Sequence, residues 1–538
     1  MYHNIFRNIL RHARSIALGV TVLAATCGTN AQQLINNELL LRKLLIAESA
    51  ITTLYVDTLS EDKIVEEAVK GMLKTLDPHS GYTPAKDVKA LTEPLEGNFE
   101  GIGVQFNMVE DTLMVIQPVS GGPSEKVGII AGDKIVLVND TAIAGVKMSK
   151  EKIMKRLRGP KDTKVRLGVI RQGIKDVLNF TVVRDKIPVF TIDAAYMIDE
   201  TVGYIKISSF GATTHNEFKK ALGELRSQGM KNLVLDLQSN GGGYLQAAVD
   251  ISNEFLEKNE LIVFTEGRMS PRKEYRANGN GIMKDGKVVV LIDSYTASAS
   301  EIVSGAIQDN DRGLIAGRRS FAKGLVQRPV ELPDGSLIRL TTAHYYSPSG
   351  RCIQKPYVMG GKTDYDKDIT DRLNSGELTN VDSIHFADSL MYKTLKLQRT
   401  VYGGGGIMPD FYVPLDTTKY TRLHRELVAK SCIINTTLKY VDRNRKHLKK
   451  EYKDFTAFNE GFQADEELLA MLRDCADKAN VTYTDSTLTE AMPAVKIQLK
   501  ALIARDLWDM KEYYMIQNQT NDIYLRGLEV MREEELKQ

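Results

Sequence analysis

The chain has 538 residues, 43% hydrophobic and 26% charged, with 71 basic against 69 acidic side chains and a net charge of +2. That length exceeds what one hydrophobic core organises, so several domains are expected. The near-balance of charge gives no support to a dominant nucleic-acid or membrane-surface role.

The first 31 residues read as an export signal. Arg7, Arg11 and Arg14 precede the apolar run from Ser15 to Thr26, which is short for a membrane span and is followed by small residues. Two processing points compete. Thr29-Asn30-Ala31 is a small-x-small site that would leave Gln32 as the first residue, and cleavage after Ala31 is favoured. Leu23-Ala-Ala-Thr-Cys27 resembles a lipoprotein box, with Thr26 where a smaller residue is usual. Either way the expectation is an exported protein of the periplasm or cell envelope, soluble or peripherally held at a membrane.

Residues 33–90 carry helical periodicity, as in Asp62 to Leu73, where apolar positions recur at three- and four-residue steps. Residues 92–185 form short β-like runs with one helix: Gly103 to Asn107, Leu113 to Gln117, Lys134 to Val138, the helical Ser149 to Leu157, then Lys164 to Ile170. This block has the size of a small β-rich module.

From 186 onward apolar strands alternate with amphipathic helices, the pattern of an α/β layer structure. Gly203 to Ile207 leads to a helix over Asn216 to Gln228, Asn232 to Leu237 leads through glycines to a helix near Leu245 to Leu256, and Lys287 to Ile292 leads to a helix over Ala299 to Gln308. Chemistry usually sits where such strands end. This alternation runs to about 355, the block 186–414 is taken as the unit that would carry such chemistry, and the charged helical pattern of 415–538 is taken as a C-terminal extension.

Cysteine and histidine exclude two classes. The four cysteines, Cys27, Cys352, Cys432 and Cys475, do not make a disulfide framework, and neither Cys-x-x-Cys nor His-x-x-x-His occurs. No metal or cofactor is expected. The run Gly403 to Gly406 lacks the Gly-Lys-Ser/Thr of a phosphate loop and reads as a turn.

Three short stretches at strand ends carry the functional signal. Ser298-Ala-Ser-Glu301 fits a capping box, worth about 1 kcal/mol to the helix. The same helix start also offers free N–H groups and a positive dipole end to a developing oxyanion. Lys323 is the only cation between Ser320 and Val326. Desolvation there would favour the neutral amine, which can accept a serine proton. Gln238-Ser-Asn-Gly-Gly-Gly-Tyr244 has glycines that let a peptide N–H approach a bound carbonyl. Taken alone, the three stretches are better read as a cap, an exposed lysine and a tight turn, respectively.

Together, Leu235 to Gly243, Ser294 to Asn310, Gly317 to Gln327 and Thr342 to Arg351 resemble the carboxy-terminal processing peptidases, also called tail-specific proteases, in their long secreted bacterial form. Ser298 stands 25 residues before Lys323, the spacing of that family, which selects Ser298 over Ser300. The resemblance implies that Ser298 is the nucleophile, Lys323 its general base and Gln327 the residue that orients the lysine. It further implies an oxyanion site built from the N–H of Ala299 and that of Gly242 or Gly243. Ala322 stands where many members have glycine.

The family also carries a PDZ domain, and Gly101-Ile102-Gly103-Val104 looks like its carboxylate-binding loop, which points N–H groups at a peptide terminus added as a strand. Leu76-Asp-Pro-His-Ser-Gly-Tyr82 is also typical of the family and is expected to be a structural junction, with His79 packed or capping. Trp508, Tyr513 and Tyr514 in the extension are expected to pack.

The implied fold is a multidomain α+β chain: a helical N-terminal region, a PDZ domain, a crotonase- or Clp-protease-like α/β core bearing a Ser/Lys dyad, and a helical extension. The implied partners are proteins or peptides with free C-termini, without nucleic acid, and the oligomeric state is left open. Two rivals are a non-catalytic tail-binding adaptor and a crotonase-like acyl-CoA enzyme. The intact Ser298, Lys323 and Gln327 argue against the first, and the export signal against the second.

Overall fold

The computed structural model describes residues 38–533. The expected leader, its cleavage after Ala31 and Cys27 lie outside these residues. Among the described residues no helix is long and apolar enough to cross a membrane.

Two helices, Glu38–Leu54 and Glu61–Lys74, open the described chain. The first buries none of its residues, and Leu39, Leu44, Ile46 and Leu54 are all exposed. The chain then runs through the 76–82 segment into the strand Gly81–Thr83 and the helix Ala85–Glu96.

The β-rich module is a five-strand antiparallel sheet with a side strand. Its order is Val104–Val109, Thr112–Pro118, Lys134–Val138, Lys164–Ile170 and Leu178–Val183, closed by the helix Lys150–Leu157. Alternation decides the fold here: Leu113 and Val115, Val165 and Leu167 turn into one core against Ile153 and Leu157 of the helix. The chain enters and leaves through a two-stranded clasp in which Asn98–Gly101 pairs antiparallel with Asp185–Pro188. Val104–Val109 is an edge strand.

The catalytic block is built on a six-stranded sheet ordered Ile192–Met197, Val202–Ile207, Asn232–Asp236, Val288–Ile292, Leu314–Gly317 and Phe411–Tyr412. The first pair is antiparallel and the rest are parallel. Val288–Ile292 is buried along its whole length, as a central parallel strand covered on both faces should be. One face, with Ile205, Leu235, Val290 and Ile292, packs on helices Thr214–Ser227, Leu245–Asn253 and Ala299–Asp309. A second sheet contains Leu261–Gly267, Ser270–Arg276, Leu325–Glu331 and the long strand Leu337–Tyr346, to which Gly81–Thr83 of the N-terminal region adds.

The expected extension 415–538 divides in its packing. Helices Arg422–Ala429, Cys432–Glu451, Glu466–Lys478 and Asp485–Leu507 share a core of their own, in which Trp508 and Tyr513 pack. The helix Asp522–Arg532 instead covers the other face of the catalytic sheet, with Ile523, Tyr524 and Leu528 against Val234, Val289 and Leu291. The helical bundle also touches the β-rich module: Leu438 packs on Val109 and Met114, Lys134 Nζ pairs with Asp442 Oδ2 at 2.9 Å, and Lys439 pairs with Glu110.

Candidate active site

Ser298 lies between the buried strand Val288–Ile292 and the helix Ala299–Asp309. Its backbone is forced to φ 58°, a conformation that costs a non-glycine residue roughly 1 kcal/mol or more. The Glu301 half of the capping box is in place, its carboxylate accepting Ser298 N–H, yet no cap hydrogen bond holds the Ser298 side chain. Ser300 is different: it is fully buried and its hydroxyl donates to the Asn240 carbonyl at 3.0 Å.

The glycine loop closes on this serine. Asn240 sits beneath it, accepting from Ala297 N–H at 3.0 Å and donating to the Ile207 carbonyl at 2.9 Å. A Cβ on Gly242 would fall 2.7 Å from both the Ala297 oxygen and Ser298 Cβ, and one on Gly243 would fall 2.1 Å from the Phe210 oxygen, so neither position admits a side chain. The two N–H groups differ. That of Gly242 donates to Asn240 Oδ1 at 2.9 Å, whereas those of Gly243 and Ala299 carry no hydrogen bond within the described residues.

Lys323 reaches the site from the turn before the strand Leu325–Glu331. Its Nζ donates to Gln327 Oε1 at 3.1 Å, and Gln327 Nε2 in turn donates to the His79 carbonyl at 2.7 Å. Among the described residues Nζ has no carboxylate within ion-pair reach and makes no direct bond to Ser298 Oγ. Burial holds the lysine below its usual pKa, Arg339 adds to that shift, and Glu301 and Asp77 oppose it.

Glu301 ties the two halves together. It is 1% exposed. Its Oε2 accepts Ser298 N–H at 2.7 Å and Lys323 N–H at 2.9 Å, while Oε1 accepts Ala322 N–H at 2.8 Å and Ser320 Oγ–H at 2.5 Å. Burial pushes this carboxyl above its ordinary pKa, and the four donors oppose that shift. Tyr345 Oη makes a second tie, 3.1 Å from the Ser298 carbonyl and 2.6 Å from that of Lys323. Ala322 has φ 73°, which explains why glycine suits this position.

The expected site residues therefore converge, and the sequence reading missed part of what holds them. Glu301 was visible only as a cap partner, and Tyr345 lay unassigned inside a matching stretch. The contribution of His79 comes through its backbone oxygen, which no side-chain signal marks. Its ring, as expected, packs: Nε2 lies 3.0 Å from Tyr365 Oη, and burial followed by the Lys323 charge lowers its pKa to about 4.

In the β-rich module, Gly101, Ile102 and Gly103 are buried and Gly103 has φ 71°. The Ile102 carbonyl accepts from Ser124 N–H at 3.1 Å and the Gly103 carbonyl from Val119 N–H at 2.9 Å. The N–H groups of Ile102 and Gly103 carry no hydrogen bond within the described residues. Val104 begins the edge strand, and Lys150 Nζ of the neighbouring helix lies 5.6 Å from the centre of the Phe106 ring on that strand.

Residues 201–366 match peptidase family S41, residues 101–182 match the PDZ domain, and residues 423–509 match a family of unknown function. The carboxy-terminal-processing protease of Bartonella bacilliformis is 34% identical over 343 residues, covering 63% of this chain and 78% of that protein. Carboxy-terminal processing protease CtpA of Bacillus subtilis is 34% identical over 334 residues, covering 60% and 70%. The carboxyl-terminal-processing protease of Synechocystis is 36% identical over 299 residues, covering 54% and 69%. These similarities favour neither an adaptor nor an acyl-CoA enzyme.

Proposed function

The chain belongs to peptidase family S41 as a carboxy-terminal processing serine protease with a PDZ domain, and on that premise we propose that Ser298 and Lys323 form its catalytic dyad. The observation that carries this reading is the environment of Lys323 Nζ: partly buried, with a neutral amide oxygen as its partner and, among the described residues, no carboxylate within ion-pair reach. Such an amine loses its proton more readily than an ordinary lysine.

A substrate tail adds to the edge strand Val104–Val109, its terminal carboxylate meeting the Ile102 and Gly103 N–H groups, with Gly101 and Val104 framing the turn. The scissile carbonyl is attacked by Ser298 Oγ as neutral Lys323 takes the hydroxyl proton, the contact between them tightening once substrate excludes water. Gln327 holds Nζ on line. The oxyanion is received by the N–H of Ala299, at the positive end of its helix, and by that of Gly243, whose exposed and unengaged N–H suits it better than that of Gly242. Lys323 then returns its proton to the leaving amine, and water, activated by the same lysine, releases the acyl group.

The substrates on this reading are exported proteins cut near their C-termini, in the periplasm or cell envelope, with the mature chain starting at Gln32. The division into 33–90, 92–185, 186–414 and 415–538 is retained as a working scheme, with 522–532 serving the catalytic sheet.

The deciding experiment incubates the purified mature chain and its Ser298→Ala form with an unstructured protein and weighs the fragments. Cleavage near the C-terminus by the first and none by the second is expected, and turnover by folded Ser298→Ala would overturn the dyad. The inert Ser298→Ala chain also tests the PDZ site: a peptide ending in small apolar residues should bind it more tightly than the matching C-terminal amide, and equal affinity would rule out carboxylate recognition.

A further inference from the structure

The described residues contain three cysteines, and two of them meet. Cys432 opens the helix Cys432–Glu451, and Cys475 lies on Glu466–Lys478, which packs against it in the core of the helical bundle. Cys432 Sγ is 3.7 Å from the Cys475 carbonyl oxygen, so the sulfur lies directly against the main chain of the other cysteine. Cys432 is fully buried and Cys475 is partly open to solvent. Cys352 stands elsewhere, with its sulfur 3.9 Å from His344 Nδ1.

We propose that Cys432 and Cys475 are a disulfide-forming pair whose bond clamps the two helices together. With Cys432 Sγ already against the Cys475 main chain on the packed neighbouring helix, rotation of the two side chains brings the sulfurs to an S–S bond of about 2.0 Å. The oxidant belongs to the class of small-molecule or protein disulfides. The Cys475 thiolate, the reachable one, attacks a sulfur of that disulfide and expels one thiolate. Cys432 then loses its proton and displaces the second from the mixed disulfide. Two thiols are thereby oxidised to one disulfide while one disulfide is reduced to two thiols. Burial, followed by the neighbouring Cys475, pushes the Cys432 thiol up to about 12, so it is the resolving partner rather than the point of entry.

The clamp has a place in the architecture. The helix it anchors carries Ile434, Leu438, Lys439 and Asp442, which meet Val109, Met114, Glu110 and Lys134 of the PDZ sheet. Closing the disulfide fixes the platform on which the PDZ domain rests. The bond is independent of the dyad assignment, because it asks nothing of Ser298 or Lys323.

The test uses the full chain purified with reductant, then exposed to glutathione disulfide, alkylated and digested with trypsin without reduction. The expected product links the peptide Ser431 to Lys439 with Asp474 to Lys478, and Cys352 remains alkylated. The oxidised chain should melt several degrees above the reduced one, and this gain should vanish in a Cys432→Ala/Cys475→Ala variant. Alkylation of both residues in the folded chain, or linkage that forms only after denaturation or only to Cys352, would overturn the proposal.

Discussion

The loop that presents Ser298 and the turn that presents Lys323 meet on one carboxylate, Glu301, but different reaches of the chain fix them. Ser298 is held by its own helix start and by one neighbouring strand-end loop, in which Asn240 supports Ala297 and Gly242 lies close against Ser298. Lys323 depends on Gln327, and Gln327 depends on the carbonyl of His79, contributed by the N-terminal region. The proposed nucleophile is thus a local construction inside its own α/β block, whereas the proposed base is held through a segment far away in the sequence. Lesions on the two sides should be told apart by what they do to the pH profile and to stability.

The largest effect that sharpens this contrast is expected at the base itself. Lys323→Arg keeps a cation that cannot be deprotonated, so peptidase activity should fall by about 10^3 to 10^4-fold with the fold intact. Near-normal hydrolysis by that variant would return Ser298 to the role of a helix cap. A smaller loss is expected at the shared tie. Glu301→Gln replaces an acceptor of four hydrogen bonds by an amide that can accept only at one end, costing about 1 to 3 kcal/mol, or roughly 10 to 100-fold in activity if the strain falls on the dyad. If activity is untouched while stability drops, Glu301 supports the fold but does not align the pair.

The next effect is a displacement along the pH axis. Burial and Arg339 lower the Lys323 pKa while Glu301 and Asp77 raise it, so activity should rise with pH below the range of an ordinary lysine. Asp77→Asn removes an anion that favours the ammonium form and should move that rise to lower pH. Arg339→Gln removes an opposing cation and should move it to higher pH. Equal profiles for all three proteins in kcat/KM would refute Lys323 as the titrating base. Asp77 also accepts hydrogen bonds from Ser80 and Thr341, so simple loosening of the loop would reduce activity without opposite shifts in the two variants. The smallest effect concerns strain: Ala322→Gly should raise stability by about 0.5 to 1 kcal/mol in thermal or denaturant unfolding, because glycine meets φ 73° without steric cost.

How far the sequence could be read follows the same division. Strands with strict alternation or continuous apolar runs were legible: Lys134–Val138 and Lys164–Ile170 lie where expected, and the helix expected over Ala299 to Gln308 extends only to Asp309. Ser270–Arg276, Ser-Pro-Arg-Lys-Glu-Tyr-Arg, was not, because an exposed strand paired on one side has no hydrophobic period to show. The helical period of Asp522–Arg532 was readable, but periodicity says only that one face is apolar and never which sheet it will cover. At the site, motif and spacing marked Ser298, Lys323 and Gln327. The His79 carbonyl was out of reach, since a main-chain oxygen is the same in every residue.

The helix Asp522–Arg532 has a consequence for the order in which the enzyme can come into being. Strands up to Val288–Ile292 and both loops of the site are synthesised long before residue 522, yet Val234, Val289 and Leu291 share their face of the sheet with Ile523, Tyr524 and Leu528 of that helix. A chain that stops short of that helix therefore carries Ser298 and Lys323 on a sheet whose second face lacks part of its cover. The apolar face of a sheet laid down earlier in the chain is thus completed by nearly the last helix of the described residues, so both stretches of the sequence must be present together before that face is closed.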